Sequence, residues 1–279
     1  MQVMDNKSKT LELVQSKDSY YDPATNWDYW STSLYKDFEL CEAAALAKLK
    51  GQWEPKSSPV ALLVGNYLHS YFESMESHDS FIEKNQASIL AKSGKNKGNP
   101  KAEFRQADDM ITALKDDDFF NAVYQGDKEV PVIGQIGGLD WKGKLDCLNV
   151  DKGYFVDLKT VDDIHKRHWD DVNKRWVSFI EDREYVLQMA VYRELLRQEY
   201  GKDFEAFIFA VSKQDQPDKC AIRFEPFRYE EALEEVPNKV KHFEDVKNGV
   251  IAPTNCGTCE YCRMTKELSG FIEVADLID

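Results

Sequence analysis

The chain has 279 residues, 42% apolar and 12% aromatic, enough to bury a sizeable core, which excludes a disordered or fibrous polymer. With 36 Lys and Arg against 50 Asp and Glu, the formal charge is −14. That excludes binding to phosphates by bulk charge, because such binding is driven by many cations releasing counterions. A nucleic-acid partner stays open only through metal ions on a carboxylate cluster and through local basic segments, KSGKNKGNPK (92–101) and HKRHWDDVNKR (165–175).

Residues 1–26 read as a polar, weakly ordered tail without the apolar run of a signal peptide, and no later segment approaches the length of a membrane span. The expected location is the cytoplasm. Ser31 is a suitable N-cap for STSLYKDFELCEAAALAKLKG, expected as one helix ended by Gly51, with Leu34, Phe38, Cys41, Ala45 and Leu49 on its inner stripe. Further helices are expected over about 60–77 and 101–124. The pattern then shifts to strands: KEVPVIGQIGG, LDWKGKLDCLNV and YFVDLKT, turning at Gly137-Gly138 and at Asp151-Lys152-Gly153. A long helix over about 177–199, two strands around QDQPD and a last helix over about 229–248 follow. This order predicts an α/β (α+β) fold, a mixed sheet flanked by helices, as a single domain over residues 27–279.

GYFVDLKT sets Asp157 and Lys159 on one face of a strand and Val156 and Leu158 on the other. A turn centred on Asp151-Lys152 places Asp146 opposite Asp157 and Lys144 opposite Lys159. Two carboxylates about 5 Å apart repel unless a cation sits between them, and Mg²⁺ or Mn²⁺ prefers such oxygens. A lysine beside a metal-bound water can orient that water and neutralise charge developing on a phosphate. Downstream, Gln188 and Tyr192 stand one helical turn apart on a stripe with Tyr185 and Leu195, so an amide that needs partners interrupts an apolar face.

Six cysteines in a chain expected to be cytosolic suggest metal or redox chemistry. Cys256, Cys259 and Cys262 form CGTCEYC, close enough to wrap one metal centre, with zinc and a cubane iron–sulfur cluster both open. No histidine lies beside them, so a fourth ligand must come from afar, and Cys41 is the best placed. Cys147 and Cys220 lie in strands and read as small core residues.

GKLDCLNVDKGYFVDLKT resembles the core of the PD-(D/E)xK nucleases, whose two acids and intervening carbonyl hold a divalent metal; here these would be Asp146, Asp157 and Leu158, with Lys159 as the lysine. VGNYLHSYFE resembles the helix that supplies a histidine ligand in the RecB-like branch, His69 here, and EYVLQMAVYRELL resembles that branch's Q-x(3)-Y motif. One cysteine before the core and three after it resemble the AddB-type and CRISPR-associated iron–sulfur nucleases, which implies a [4Fe–4S] cluster on Cys41, Cys256, Cys259 and Cys262 that ties the two ends of the chain together. Taken together, residues 28–265 resemble the phage and prophage RecE-like (exonuclease VIII-like) proteins. The resemblance implies an Mg²⁺- or Mn²⁺-dependent exonuclease that resects 5′ ends of linear double-stranded DNA for an annealing recombinase; a homo-oligomer is one option for its assembly. Glu73 and Glu129 are weaker candidates for orienting water or metal. The rival expectations are a non-catalytic iron–sulfur or zinc module that holds DNA or a partner, and a redox carrier.

Overall fold

The computed structural model describes residues 10–16, 19–56, 59–171 and 173–277. Its main helices up to the sheet are α1 (Thr32–Leu40), α2 (Glu42–Leu49), α3 (Pro59–Glu73), α4 (Met75–Lys84), α5 (Ala102–Lys115) and α6 (Asp118–Val123). Three strands follow, β1 (Asp127–Ile136), β2 (Leu139–Asn149) and β3 (Tyr154–Val161), then a small ribbon of β4 (His168–Asp170) and β5 (Arg175–Val177). Helix α7 (Tyr185–Tyr200), strands β6 (Glu205–Ser212) and β7 (Lys219–Arg223), and helices α8 (Pro226–Glu234), α9 (Val236–Lys247) and α10 (Glu260–Met264) complete it.

The main sheet runs β1-β2-β3-β6-β7. Its pairs are antiparallel except β3 with β6, which are parallel from Tyr154–Glu205 to Val161–Ser212. A parallel neighbour demands a crossover, and α7 lies within it. The β1–β2 hairpin closes on Gly137 and Gly138 at φ of +65° and +80°, a turn whose twist suits the strands and which glycine adopts without strain. The expected mixed α/β architecture is thus the observed one.

Each face of the sheet carries its own core. Leu145, Phe155, Ile208 and Ala210 pack with Trp30, Phe38, Trp141 and the α7 residues Met189, Leu195 and Leu196. Cys147, Val156, Leu158 and Phe209 pack with Val64 and Leu68 of α3 and with Phe104, Met110 and Phe120. Leu145 and Leu148 belong to one core and Cys147 to the other, so the alternation slips at Asp146.

Two expected helices each divide in two, 60–77 at Ser74, which caps α4, and 101–124 at Asp117, which caps α6, and four further expectations need correction. The first helix is two: Ser31 caps α1 as foreseen, but Cys41 is extended (φ −168°, ψ 108°) and starts α2. The break is held by tertiary contacts, since Ala43 N donates to Thr254 O and Thr254 N donates to Glu42 Oε2. The 1–26 tail is packed over much of its described part: Val14 and Tyr20 are buried, and the buried Lys142 ammonium donates to Tyr20 O and to Thr25 Oγ1. Residues 1–9, 17 and 18 lie outside the described residues. The 177–199 helix starts only at Tyr185, because the β4–β5 ribbon and a single turn over Phe179–Asp182 come first. The 229–248 helix is α8 and α9, parted at Glu235, one residue after α8 ends and just before a proline in the first turn of α9.

Candidate active site and cysteine centre

The β2–β3 ladder has the register read from the sequence, Leu148 opposite Phe155 and Cys147 opposite Val156, but it stops there. At the next position, where Asp146 and Asp157 would face each other, the Asp146 carboxylate takes over the main-chain bond: Leu158 N donates to Asp146 Oδ2 at 2.6 Å. The strands part at this point, and Lys144 does not face Lys159. Lys144 is ion-paired instead with Glu129, under the ring of Tyr21 at 4.4 Å.

Glu129 stands opposite Asp146 in β1 and is one of three non-glycine residues with positive φ among those described, at +53°. A left-handed conformation costs a side-chain-bearing residue about 1–2 kcal/mol and re-aims its side chain. Here it brings the Glu129 carboxylate beside His69 and Asp146. One ligand atom from each of the three lies within 4.8 Å of the other two. His69 comes from α3 on the other side of the fork, its Nδ1 at 3.1 Å from Asp146 Oδ1. Gly65, one turn before His69, packs beside β3, where a Cβ would sit in ordinary contact, 3.8 Å from Thr160 Oγ1. Tyr124 fixes the fork from behind, donating its hydroxyl to Asp146 O at 3.2 Å.

Asp157 stands outside that group of three. Its Oδ2 lies 2.5 Å from Lys159 Nζ, a short ion pair. Its Oδ1 accepts from Gln188 Nε2 at 3.4 Å, and the same amide donates to the Tyr192 hydroxyl at 3.0 Å. The motif glutamine therefore reaches the second acid, with the motif tyrosine bonded to the glutamine behind it. Tyr185, at the start of α7, lays its ring 4.6 Å from Lys159 Nζ. Gly143 makes room for Tyr192, since a Cβ there would lie 2.6 Å from its ring. Glu73 lies one turn beyond His69 and is not part of the group around Asp146 among the described residues.

Burial and charge work against each other across the fork. Burial pushes the Asp157 carboxyl up to about 6, with Asp146 adding to the rise and Lys159 opposing it. Burial also raises Glu129, helped by Asp146 and opposed by Lys144. For Asp146 burial raises the pKa too, but His69, Lys159 and the Leu158 N–H outweigh it and hold the carboxyl below its ordinary value. His69 is raised in turn, its burial outweighed by Asp146. Lys159 is held protonated, again against its burial, chiefly by Asp157. Crowded carboxylates with an imidazole within reach are a donor set that fits a hard divalent cation. The sequence signal for Glu129 was faint, a single acid at the start of a strand. Tyr21, in the expected tail, had none.

At the far end of the α1–α2 break, Cys41, Cys256, Cys259 and Cys262 come together, their sulfurs all within 4.8 Å of one another. Cys41 Sγ is 3.6 Å and Cys256 Sγ 3.9 Å from Cys262 Sγ. The loop wraps inward by its own amides: Cys259 N donates to Cys256 Sγ and Cys262 N to Cys259 Sγ. Main-chain N–H groups of Thr258 and Cys259 bring the Cys256 thiol down to about 6, whereas burial pushes Cys262 up to about 12. Four converging sulfurs with no bulky group between them fit a metal centre. Cys147 is buried, Cys220 half-buried, and both are remote from this cluster.

Among the described residues, no helix is long and apolar enough to cross a membrane. A crystal structure of a protein from Eubacterium rectale, described as a candidate exonuclease, is similar to this chain at 34% identity and a TM-score of 0.85. It covers 94% of this chain and 97% of that one. A second solved structure, of SSO0001, shares 14% identity over 82% of this chain and 91% of that chain, with a TM-score of 0.30 that carries no argument. No curated protein matches the sequence significantly. The Eubacterium rectale neighbour and the domain family that matches residues 31–265 together support a nuclease. With that match over most of its length, the chain belongs to the family of PDDEXK-like domains of unknown function, DUF3799.

Proposed function

We propose that this protein is a divalent-metal-dependent DNA exonuclease that resects 5′ ends of linear double-stranded DNA in RecE-like recombination, handing a 3′ strand to an annealing protein. The observation that carries the reading is the fork itself, where β2 and β3 part: Asp146, Asp157 and Glu129 are buried there, with His69 and Lys159 half-buried beside them. His69, Asp146, Asp157 and the Leu158 carbonyl would hold Mg²⁺ or Mn²⁺, with Glu129 as an added carboxylate. Such an ion, when bound, polarises the phosphodiester and lowers the pKa of a water. Lys159 carries a fixed positive charge next to the scissile phosphate and offers N–H donors to the attacking water. Gln188 holds Asp157 in place and Tyr192 holds Gln188; both position the site rather than touch the substrate.

The cysteine centre is proposed as a structural [4Fe–4S] cluster that joins the N-terminal and C-terminal parts of one nuclease domain over residues 27–279. A second reading, a single zinc ion, is favoured by the sulfur separations of 3.6 and 3.9 Å. Four thiolates about 2.3 Å from one tetrahedral ion stand about 3.8 Å apart, whereas a cubane binds each sulfur to a different iron and spreads them further. Iron, zinc and sulfide analysis of anaerobically purified protein separates the two.

The test of function is digestion of end-labelled linear duplex and covalently closed circles with Mg²⁺, Mn²⁺ or chelator. Linear DNA should shorten progressively from its ends with metal alone. Rapid nicking of circles would replace the exonuclease by an endonuclease, and intact DNA under every condition would leave a binding module on a nuclease scaffold.

A further inference from the structure

No residue of the β4–β5 ribbon belongs to either core; at its root Val177 is buried, and Phe179, two residues further on, joins the core with α7. Its outer part displays two tryptophans that are cross-strand partners, Trp169 at 45% and Trp176 at 58% exposure. Their rings meet edge to face, with centroids 5.4 Å apart. Such a pair helps hold a short ribbon together, but ring contact alone does not require both indoles to stay half in water.

The segment around the pair, residues 165–175, carries Lys166, Arg167, Lys174 and Arg175 against Asp170 and Asp171, a local positive excess in a chain whose net charge is −14. Asp171 accepts from Trp169 Nε1 at 3.0 Å and lies 4.0 Å from Lys174 Nζ, which leaves Lys166 and Arg167 as the cations on the β4 side. The Arg167 guanidinium lies over the Trp176 ring, 5.6 Å from its centroid. Arg175 is tied to Glu181, and His168 Nδ1 lies 3.3 Å from Asp182 Oδ2, so both strands of the ribbon are anchored to the turn over Phe179–Asp182. The ribbon is also the first structure after β3, which carries Asp157 and Lys159, and it leads back to Tyr185 beside Lys159. Indole faces interleaved with cations bind unpaired bases by stacking, whatever the sequence, while the cations track the backbone.

We infer that the β4–β5 ribbon is a stacking platform for an unpaired DNA strand at the frayed or resected end of the duplex, with Trp169 and Trp176 taking bases and Lys166 and Arg167 taking phosphates. The inference deepens the nuclease reading and rests on it for the identity of the strand as DNA.

The test uses the full chain in chelator, so that nothing is cleaved, with fluorescein-labelled dT15 and a blunt 20-base-pair duplex as probes. Replacing both tryptophans by Ala should weaken dT15 binding about tenfold or more, and blunt duplex binding less. Replacing both by Tyr, which keeps aromatic faces, should stay within about threefold of wild type. Saturating dT15 should quench the wild-type tryptophan fluorescence, and the quench should vanish in the Tyr pair; this measurement does not depend on the Ala pair keeping its ribbon. Unchanged dT15 affinity in the Ala pair, or no quenching of the wild type, overturns the platform. Cleavage of linear duplex with Mn²⁺ is scored separately. A wild type that cleaves DNA while the Ala pair binds normally sinks the platform alone, and a wild type that stacks on dT15 yet cleaves nothing sinks the nuclease reading alone.

Discussion

Asp157 is ionised at neutral pH only with help, because burial pushes its carboxyl up to about 6 even with Lys159 beside it. A protonated Asp157 would lose its hold on a cation and on Lys159. Cleavage should therefore fall as pH drops through about 6, approaching tenfold per unit below it, and a bound cation, which favours the carboxylate, should move that limb to lower pH as Mn²⁺ is raised. A pH–rate profile at two Mn²⁺ concentrations checks both; an acid limb that ignores the metal would remove Asp157 from the metal site. Lys159→Ala should cost cleavage about 10²–10³-fold, the usual loss of a preorganised charge at a transition state, with the fold retained by circular dichroism. His69→Ala should raise the Mn²⁺ requirement and be partly rescued by excess metal. An unchanged requirement would leave His69 as the partner of Asp146 only. Glu129→Gln should behave like His69→Ala, since its left-handed backbone puts it beside the same two groups.

Helix α7 and strand β2 meet so closely that their contact is itself a device. At Gly143 a Cβ would lie 2.6 Å from the buried Tyr192 ring and 3.2 Å from Val132. Gly143→Ala should therefore destabilise the protein by about 1–3 kcal/mol, as overpacking does, and displace Gln188 from Asp157. Chemical denaturation reads the first effect. Activity measured well below the unfolding midpoint reads the second, and a fully active Gly143→Ala variant would show that the Gln188 bond is dispensable. The hairpins were legible because local chemistry dictates them: Gly137-Gly138 fits one kind of tight turn, and the Asp151-Lys152 turn fixes which residues of β2 and β3 face each other. The end of the ladder at Cys147 was not legible, for it depends on the Asp146 side chain capturing Leu158 N across the fork. Strands of three residues, HWD and RWV, are too short to carry a period, so the ribbon was hidden within the basic segment before the expected 177–199 helix. The break at Cys41 was hidden for the opposite reason: ELCEAAALAK continues a good helical pattern, and Thr254, more than 200 residues away, supplies the contact at the break.

For the molecule as a whole, the cysteine centre decides how the chain's two ends bear on the sheet between them. Cys41 leads into α2, whose Glu42 carboxylate accepts from Thr254 N and from His242 Nε2, taken as its protonated nitrogen, while Trp53 and Tyr261 meet edge to face beside the cysteines. These contacts alone are few. A metal centre spanning Cys41 and Cys256 would close a loop of about 215 residues, and by the entropy used for disulfides that restricts the unfolded chain by about 5 kcal/mol, comparable to the stability of many domains. Replacing any one of the four cysteines by Ser should then give a metal-depleted protein that unfolds at much lower denaturant and loses cleavage through the fold. The same change at Cys147 or Cys220 should leave the metal content intact. Metal analysis, sulfide analysis and denaturation on the same preparations separate the causes: a Cys41→Ser protein with full metal content would move the fourth ligand elsewhere, and one that loses its metal yet unfolds like wild type would remove the tie between the chain ends from the stability of the fold.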